Sequence, residues 1–121
     1  MADDLTYCTS VTHLFNAMSA LSHKHKNIIS SALSEDDMYV EVIADGNHVI
    51  DEVLKMVFKV KAIDKTMLIS DALPIAHDEA GKGIFAGQEV TINNGSFYNM
   101  NGTLAGSGMF QCDILKRLVM V

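Results

Sequence analysis

The chain has 121 residues, which is enough to bury the core of one ordinary domain. It is 49% hydrophobic and 20% charged, a balance typical of globular proteins. Its formal net charge of −6 argues against a nucleic-acid-binding surface, because phosphate backbones are bound by clustered lysine and arginine side chains. The apolar stretches are shorter than the roughly 18 residues that a membrane helix needs, and no secretory signal follows Met1. We therefore expect a cytoplasmic protein.

The first 74 residues alternate between apolar strands and amphipathic helices. Hydrophobic patterning predicts strands over 5–13, 38–44 and 66–70, and helices over 27–33 and 50–60. The middle strand has apolar residues on both faces, as in a parallel sheet that is covered on both sides. Each strand ends at a polar residue, and a TIM barrel builds its site from such residues at the carboxyl ends of its strands. The pattern therefore predicts an α/β fold that forms a partial TIM barrel of about three βα units.

The texture of the sequence changes after Pro74, where glycine becomes more frequent. Apolar and polar residues alternate over 88–92 and 96–100, on either side of Asn94 and Gly95. An Asn-Gly pair supplies the two left-handed residues of a tight hairpin turn. This segment therefore predicts a β-hairpin.

The end of the chain predicts a final helix, because residues 109–121 repeat apolar side chains at helical spacing. The glycine-rich segment 102–108 before it fits two interpretations. It is either a flexible loop between hairpin and helix, or a loop whose backbone N–H groups bind an anion or a sugar. The chain is thus interpreted as one partial domain over 1–121, with the βα units in 1–74, a loop and hairpin in 75–108 and a helix in 109–121.

Three titratable side chains lie where predicted strands or their loops end, namely His13, His48 and Asp71. Imidazole and carboxylate groups are common ligands of divalent metals, and a nearby carboxylate can act as a general base. A histidine at a strand end is also often a hydrogen-bonded structural residue, and an aspartate there often caps the next helix. His23 and His25 likewise fit either an H-x-H metal pair or a solvated loop. The spacing alone leaves these alternatives open.

Four segments, taken together, carry a family resemblance. They are 12–18 (THLFNAM), 43–49 (IADGNHV), 70–72 (SDA) and 102–107 (GTLAGS), similar to motifs written THxxNAM, IADGxHV, [ST]DA and DGTLAGS. Their order and spacing resemble those of the N-acetylglucosamine-6-phosphate deacetylases, a family of the amidohydrolase superfamily. The resemblance extends from about Thr9 to Val121, and it identifies 1–121 as a single partial amidohydrolase domain.

The resemblance implies a metal-dependent hydrolysis of N-acetylglucosamine 6-phosphate to glucosamine 6-phosphate and acetate, a step of amino-sugar catabolism. It implies that His13 is a ligand of a divalent metal ion, zinc first among the candidates, and that Asp71 is the catalytic acid and base. A substrate-binding role is implied for Asn16, Ala17, Lys24, His48, Leu104, Ala105 and Gly106. Where Lys24 stands, the family usually has an arginine, so the charge is kept but the bidentate fork toward a phosphate is lost.

The resemblance further implies that the chain corresponds to the C-terminal part of the catalytic barrel and is truncated at both ends. A metal-binding glutamate and a further histidine of the family lie upstream of the matching segments, so the metal site is expected to be incomplete and the fragment inactive alone. Open sheet edges predict a homo-oligomer or a companion chain, with a small amino-sugar phosphate as ligand and neither nucleic acid nor membrane as partner. The alternative is a non-catalytic remnant that acts as a sugar-phosphate-binding or assembly module.

Overall fold

The computed structural model describes residues 8–120. These residues form two sheets and three α-helices, with short 3-10 turns at Ile63–Lys65 and Pro74–His77. The strands are β1 (Ser10–Val11), β2 (Tyr39–Ile43), β3 (Thr66–Ile69), β4 (Lys82–Phe85), β5 (Gln88–Asn93), β6 (Ser96–Asn99) and β7 (Leu104–Ser107), and the helices are α1 (Ile28–Ser34), α2 (Asp51–Val60) and α3 (Gln111–Val119).

The first sheet is parallel and has the order β1-β2-β3, with α1 and α2 in the connections between its strands. The central strand is buried on both faces, since Val40, Val42 and Ile43 are all 0% exposed. The prediction of three parallel strands joined by two helices is therefore confirmed. The first strand is shorter than the predicted 5–13, because the chain turns away after Val11, and residues 5–7 lie outside the described residues.

Side chains cap both ends of α1, Asn27 and Ser30 at its start and Lys61, which follows α2, at its end. At its start, the Asn27 side chain accepts a hydrogen bond from the Ser30 N–H, and the Ser30 hydroxyl accepts one from the Asn27 N–H. This capping box satisfies two of the donors that a helix start leaves open. At the other end, the buried Lys61 ammonium donates to the carbonyl oxygens of Ala32 and Glu35. Burial lowers the pKa of Lys61, and the charge sits where a helix C-terminus favours a cation.

The second sheet is an antiparallel meander in the order β4-β5-β6-β7. The predicted hairpin is confirmed as β5 and β6, which turn at Asn94 and Gly95 with φ of +48° and +79°. The structure adds two strands that the sequence did not predict, one on each side of this hairpin. The segment 102–108 is accordingly not a flexible loop, because most of it forms β7 and pairs with β6.

The final helix packs onto the parallel sheet, as shown by three of its side chains. Ile114 is 0% exposed in the main hydrophobic core. The Gln111 amide donates to the Leu68 carbonyl in β3 at 2.7 Å, and the Arg117 guanidinium donates to the Ala44 carbonyl just after β2 at 3.2 Å. The helix therefore ties together the ends of two neighbouring strands.

The helix predicted over 109–121 is confirmed for Gln111–Val119, and Val121 lies outside the described residues. Both cysteines, Cys8 and Cys112, are free and exposed, one ahead of β1 and the other on the first turn of α3. Over residues 8–120, no helix is both long enough and apolar enough to span a bilayer.

Candidate functional site

One polar residue follows each of the three parallel strands at the same number of residues after the strand ends. His13, Asp45 and Asp71 each lie two residues beyond the last residue of β1, β2 and β3, respectively. Because the three strands run parallel, their carboxyl ends lie at the same edge of the sheet. Neighbouring ends are about 4.8 Å apart there. The parallel pairing thus brings the loops that carry His13 and Asp71 to the same edge of the sheet, with the loop after β2 between them.

The backbone around two of these residues is in the left-handed region. His13 has φ of +36° and Asp71 has φ of +49°, and in the loop after His13 the residues Phe15 and Ala17 have φ of +76° and +55°. Such values are uncommon for residues other than glycine, and they cluster at functional sites, where the surrounding structure holds the strain. Here Leu14 fixes the backbone of the loop after β1. It is 0% exposed, and its N–H donates to the Glu41 carbonyl of β2 at 2.8 Å.

The His13 ring has the properties of a metal ligand. Its Nδ1 atom is buried and has no hydrogen-bond partner among the described residues. A buried nitrogen without a partner costs about 1–3 kcal/mol, and a coordinated metal ion would remove this cost. Between residues 8 and 120, no three side chains of His, Cys, Asp or Glu converge as a ligand set. The described residues therefore fit one ligand of a metal site rather than a complete site.

A buried carboxylate lies at the centre of the loop after β2. The Asp45 side chain is 0% exposed, and its Oδ2 lies 2.7 Å from His48 Nδ1. Its Oδ1 accepts the backbone N–H groups of Asn47 and His48, each at 2.9 Å. Burial alone would raise the pKa of Asp45, but the hydrogen bonds from His48 and Asn47 lower it from 3.8 to about 2. Asp45 is therefore an anion at neutral pH, and it holds the His48 ring.

The second sheet completes this cluster. The Ser96 hydroxyl, 0% exposed at the start of β6, donates to Asp45 Oδ2 at 3.3 Å. The Asn47 amide bridges to the same hydroxyl at 2.9 Å and to the Asn94 carbonyl at 2.7 Å. The loop that carries His48 is thus fixed by the turn between β5 and β6. The sequence pattern singled out His48 and placed Asp45 at a strand end, but it indicated no specific role for Asp45 and did not single out Ser96.

Asp71 lies against the last strand of the meander. The Asp71 carbonyl accepts the Ser107 N–H at 3.0 Å, and the Ser107 carbonyl accepts the Leu73 N–H at 3.0 Å. Gly106 makes this approach feasible, because a Cβ atom there would lie 2.5 Å from Leu73 Cδ2 and 3.2 Å from the Asp71 carbonyl oxygen. The candidate residues Leu104–Gly106 therefore belong to strand β7. The carboxyl end of this strand lies beside the exposed Asp71.

The remaining candidates lie in the loop between β1 and α1. The Asn16 amide turns back to the Leu14 carbonyl at 3.2 Å, and Ala17 is exposed. Lys24 is also exposed, in a turn where its own backbone N–H donates to the Ser22 hydroxyl at 3.2 Å. Exposure of the whole 23–26 stretch agrees with the solvated-loop interpretation of its two histidines.

No protein-family model matches the chain. Among curated proteins, it is similar to N-acetylglucosamine-6-phosphate deacetylases. The protein from Bacillus subtilis is 38% identical over 97 residues, which are 80% of this chain and 24% of the relative. The protein from Haemophilus influenzae is 30% identical over 113 residues, 92% of this chain and 29% of the relative. An Escherichia coli N-acetylgalactosamine-6-phosphate deacetylase is also 30% identical, over 80% of this chain and 26% of the relative.

Solved structures agree with these relatives. The N-acetylglucosamine-6-phosphate deacetylase of Pasteurella multocida superposes with a TM-score of 0.84 at 32% identity, over 92% of this chain and 29% of that one. A mutant of the Mycobacterium smegmatis enzyme, solved in complex with N-acetyl-D-glucosamine 6-phosphate, superposes with a TM-score of 0.82 over 89% of this chain, but at 22% identity it shows the likeness of fold alone. The chain spans about 24–29% of the length of these three curated relatives.

Proposed function

We propose that this chain, which is similar in sequence and fold to a segment of N-acetylglucosamine-6-phosphate deacetylases, takes part in the hydrolysis of N-acetylglucosamine 6-phosphate to glucosamine 6-phosphate and acetate. The observation that carries the proposal is the common edge of the parallel sheet. It holds His13, with its buried nitrogen free for a ligand, and Asp71, both on left-handed backbone. Because a relative's whole length is about four times that of the matched segment, the activity would require further sequence or a further chain.

The three parallel strands would form part of a TIM barrel. Support comes from the order of the elements, strand, helix, strand, helix, strand, and from the burial of β2 on both faces. Among the described residues, β1 and β3 each have one unpaired edge. Such edges favour pairing with another strand, so a companion segment or a second copy of the chain would cover them.

The proposed chemistry needs one group at the acetamide carbonyl and another that transfers protons to and from the water and the leaving amine. A divalent ion such as zinc, when bound, would act as a Lewis acid toward the acetamide carbonyl, and His13 would be one of its ligands. The Asp71 carboxylate would take a proton from the attacking water and deliver a proton to the leaving amine. Its exposure at the end of β3 leaves room for the substrate, and its backbone is held by Ser107.

Substrate binding would come from both sides of this edge. Asn16 and Ala17 would contact the sugar phosphate, and Lys24 would bind its phosphate group, with the ammonium as a compact point charge rather than a bidentate fork. His48 would contact the sugar phosphate, and β7, through Leu104, Ala105 and Gly106, would hold the substrate. The relatives include deacetylases of both N-acetylglucosamine and N-acetylgalactosamine 6-phosphates. We favour the former, because the Bacillus subtilis deacetylase of that sugar is 38% identical to this chain and the Escherichia coli deacetylase of the latter is 30% identical.

Acetate release tests the proposal. The chain, loaded with zinc and supplied with a second chain that carries the remaining part of a deacetylase, is incubated with N-acetylglucosamine 6-phosphate, and acetate is measured together with binding by calorimetry. If the chain is active, Asp71→Asn should lower the rate by about 10²–10⁴-fold and leave binding of the sugar phosphate largely intact. Asp64→Asn is the matched control, since Asp64 is exposed ahead of β3, at the opposite end of that strand.

The outcomes also separate the second candidate function. Binding of the sugar phosphate without acetate release would favour a non-catalytic sugar-phosphate-binding module, an alternative supported by the lack of three converging ligands within residues 8–120. Neither binding nor release, by a chain that is folded by circular dichroism, would rule out both functions for this polypeptide.

A further inference from the structure

The loop after β2 contains more hydrogen-bonding structure than a surface loop requires. The Asp45 carboxylate accepts four hydrogen bonds, two from backbone N–H groups at Oδ1 and two at Oδ2 from His48 and Ser96. Because the side chain is fully buried, each of these bonds forms where water cannot replace it. The cluster is therefore built to hold one arrangement of the His48 ring.

We propose that Asp45 is a positioning residue, which fixes His48 with its Nδ1–H directed at the protein and thereby presents Nε2 as the contact atom for an amino-sugar phosphate. This inference rests on the proposed function for the identity of the ligand. The role of Asp45 itself rests only on the geometry of residues 45–48 and 96.

The tautomer of His48 follows from what each group can donate. An ionised carboxylate only accepts hydrogen bonds, so the His48 Nδ1 atom, 2.7 Å from Asp45 Oδ2, must carry the proton. In the neutral ring, Nε2 is then the unprotonated nitrogen, so it can accept a hydrogen bond from a hydroxyl or N–H group of the sugar. His48, whose side chain is 5% exposed, is the one polar residue among those that line an apolar groove of about 390 Å³ beside α2.

Asp45→Asn provides a sharp test, because the fixed backbone donors determine how the new amide is oriented. The N–H groups of Asn47 and His48 both point at Oδ1, so the amide oxygen must take that place. The amide NH₂ group then replaces Oδ2 and faces His48 Nδ1 as a donor. The ring can satisfy it only by giving up the Nδ1 proton, so we expect His48 to change to the Nε2–H tautomer.

The first measurement is long-range ¹H–¹⁵N NMR of the imidazole rings in the full ¹⁵N-labelled chain at about pH 8. The His48 signals are assigned with His48→Gln. We expect the Nδ1–H tautomer in the wild type and the Nε2–H tautomer in Asp45→Asn. Ser96→Ala, which removes a neighbouring donor but keeps the carboxylate, should leave the Nδ1–H tautomer unchanged.

An Nε2–H tautomer in the wild type would overturn the proposal, and that measurement requires no variant to fold. An unchanged tautomer in a folded Asp45→Asn chain would overturn it as well. The backbone amide spectrum of each variant, compared with that of the wild type, shows whether the fold is kept.

The second measurement is binding of N-acetylglucosamine 6-phosphate by calorimetry. We expect Asp45→Asn to weaken binding by about tenfold, because Nε2–H can no longer accept the hydrogen bond from a hydroxyl or N–H group of the sugar. If Asp45 acts through His48, the same substitution should have no further effect in a His48→Gln chain. An equal loss in that background would overturn the positioning role.

The two measurements also separate this proposal from the proposed function. If the wild type does not bind the sugar phosphate, the proposed function fails and so does the assignment of Nε2 as its contact atom. The tautomer change on Asp45→Asn would still establish that Asp45 orients the ring.

Discussion

The parallel sheet and the antiparallel meander differ in how much each buries. Within residues 8–120, the cluster around β1 to β3 contains twelve buried hydrophobic side chains, whereas the cluster beneath the meander contains three, Leu73, Val90 and Phe97. Apolar side chains of the meander are instead well exposed, with Ile84 at 71% and Met100 at 79%. The buried apolar area, and hence most of the hydrophobic stabilisation, lies in the parallel half.

The meander buries few apolar side chains, but it fixes the position of two loops of the parallel half. Ser96 and the Asn94 carbonyl fix the loop after β2, and the end of β7 fixes the backbone at Asp71. The parallel half supplies the side chains of the candidate site, and the meander supplies groups that hold them. Damage to the meander should therefore disturb the site while the parallel sheet persists.

Phe97→Ala should have the largest effect. Phe97 is 1% exposed and is the largest side chain of the small cluster, so its truncation removes most of what the meander buries. We expect a loss of about 3–5 kcal/mol of stability in the region, measured by native-state hydrogen exchange of the β5 and β6 amides. The amides of β2 should keep their protection.

Ile84→Ala is the matched control in the same sheet, and its 71% exposure predicts a change within about 0.5 kcal/mol. Equal loss of protection in β2 and β6 after Phe97→Ala would break the comparison. It would mean that the two sheets open as one cooperative unit.

Gly106→Val should cost about 3 kcal/mol, because the new Cβ would meet Leu73 Cδ2 at 2.5 Å and would be added to a packed contact. The strain should separate β7 from residues 71–73 and expose the Ser107 N–H. Urea unfolding measures the cost, and exchange of the Ser107 amide locates it. In the double variant with Leu73→Ala, the effects should be less than additive, since the second change removes the side chain that clashes. Simple additivity would contradict the close approach.

The sequence predicted the parts of the fold that depend on local patterns. The helix predicted over 50–60 is observed at Asp51–Val60, and the Asn94-Gly95 turn joins the two strands expected around it. The strands β4 and β7 were missed, because each is short and contains a glycine, a residue with low strand propensity. Their conformation comes from pairing with β5 and β6, which a single segment does not reveal.

The candidate site was predictable to the same extent. The pattern placed His13 and Asp71 at strand ends, and parallel pairing brings those ends to one edge. The roles of these residues came from the family resemblance rather than from spacing. The bond between Ser96 and Asp45 joins residues 51 positions apart, and no local pattern indicates such a contact. The groups that orient the site were therefore invisible until the two sheets were seen together.

Acid should weaken the junction between the two sheets by a smaller amount, through Asp45. The pKa of the Asp45 carboxyl is about 2 in the folded chain, whereas its ordinary value, taken here for the unfolded chain, is 3.8. As the pH falls, the unfolded chain therefore binds this proton first. The stabilisation is complete above about pH 4 and is lost as the pH falls through about 2, and it amounts to about 2 kcal/mol. Urea unfolding between pH 5 and pH 2 measures it as the difference between the wild type and Asp45→Asn, in which the other carboxyl groups titrate alike. That difference should shrink towards low pH, because protonation makes the wild-type side chain as neutral as the amide. A difference that stays constant with pH would mean that the four hydrogen bonds at Asp45 do not depend on its charge, and the meander would then hold the loop by shape alone.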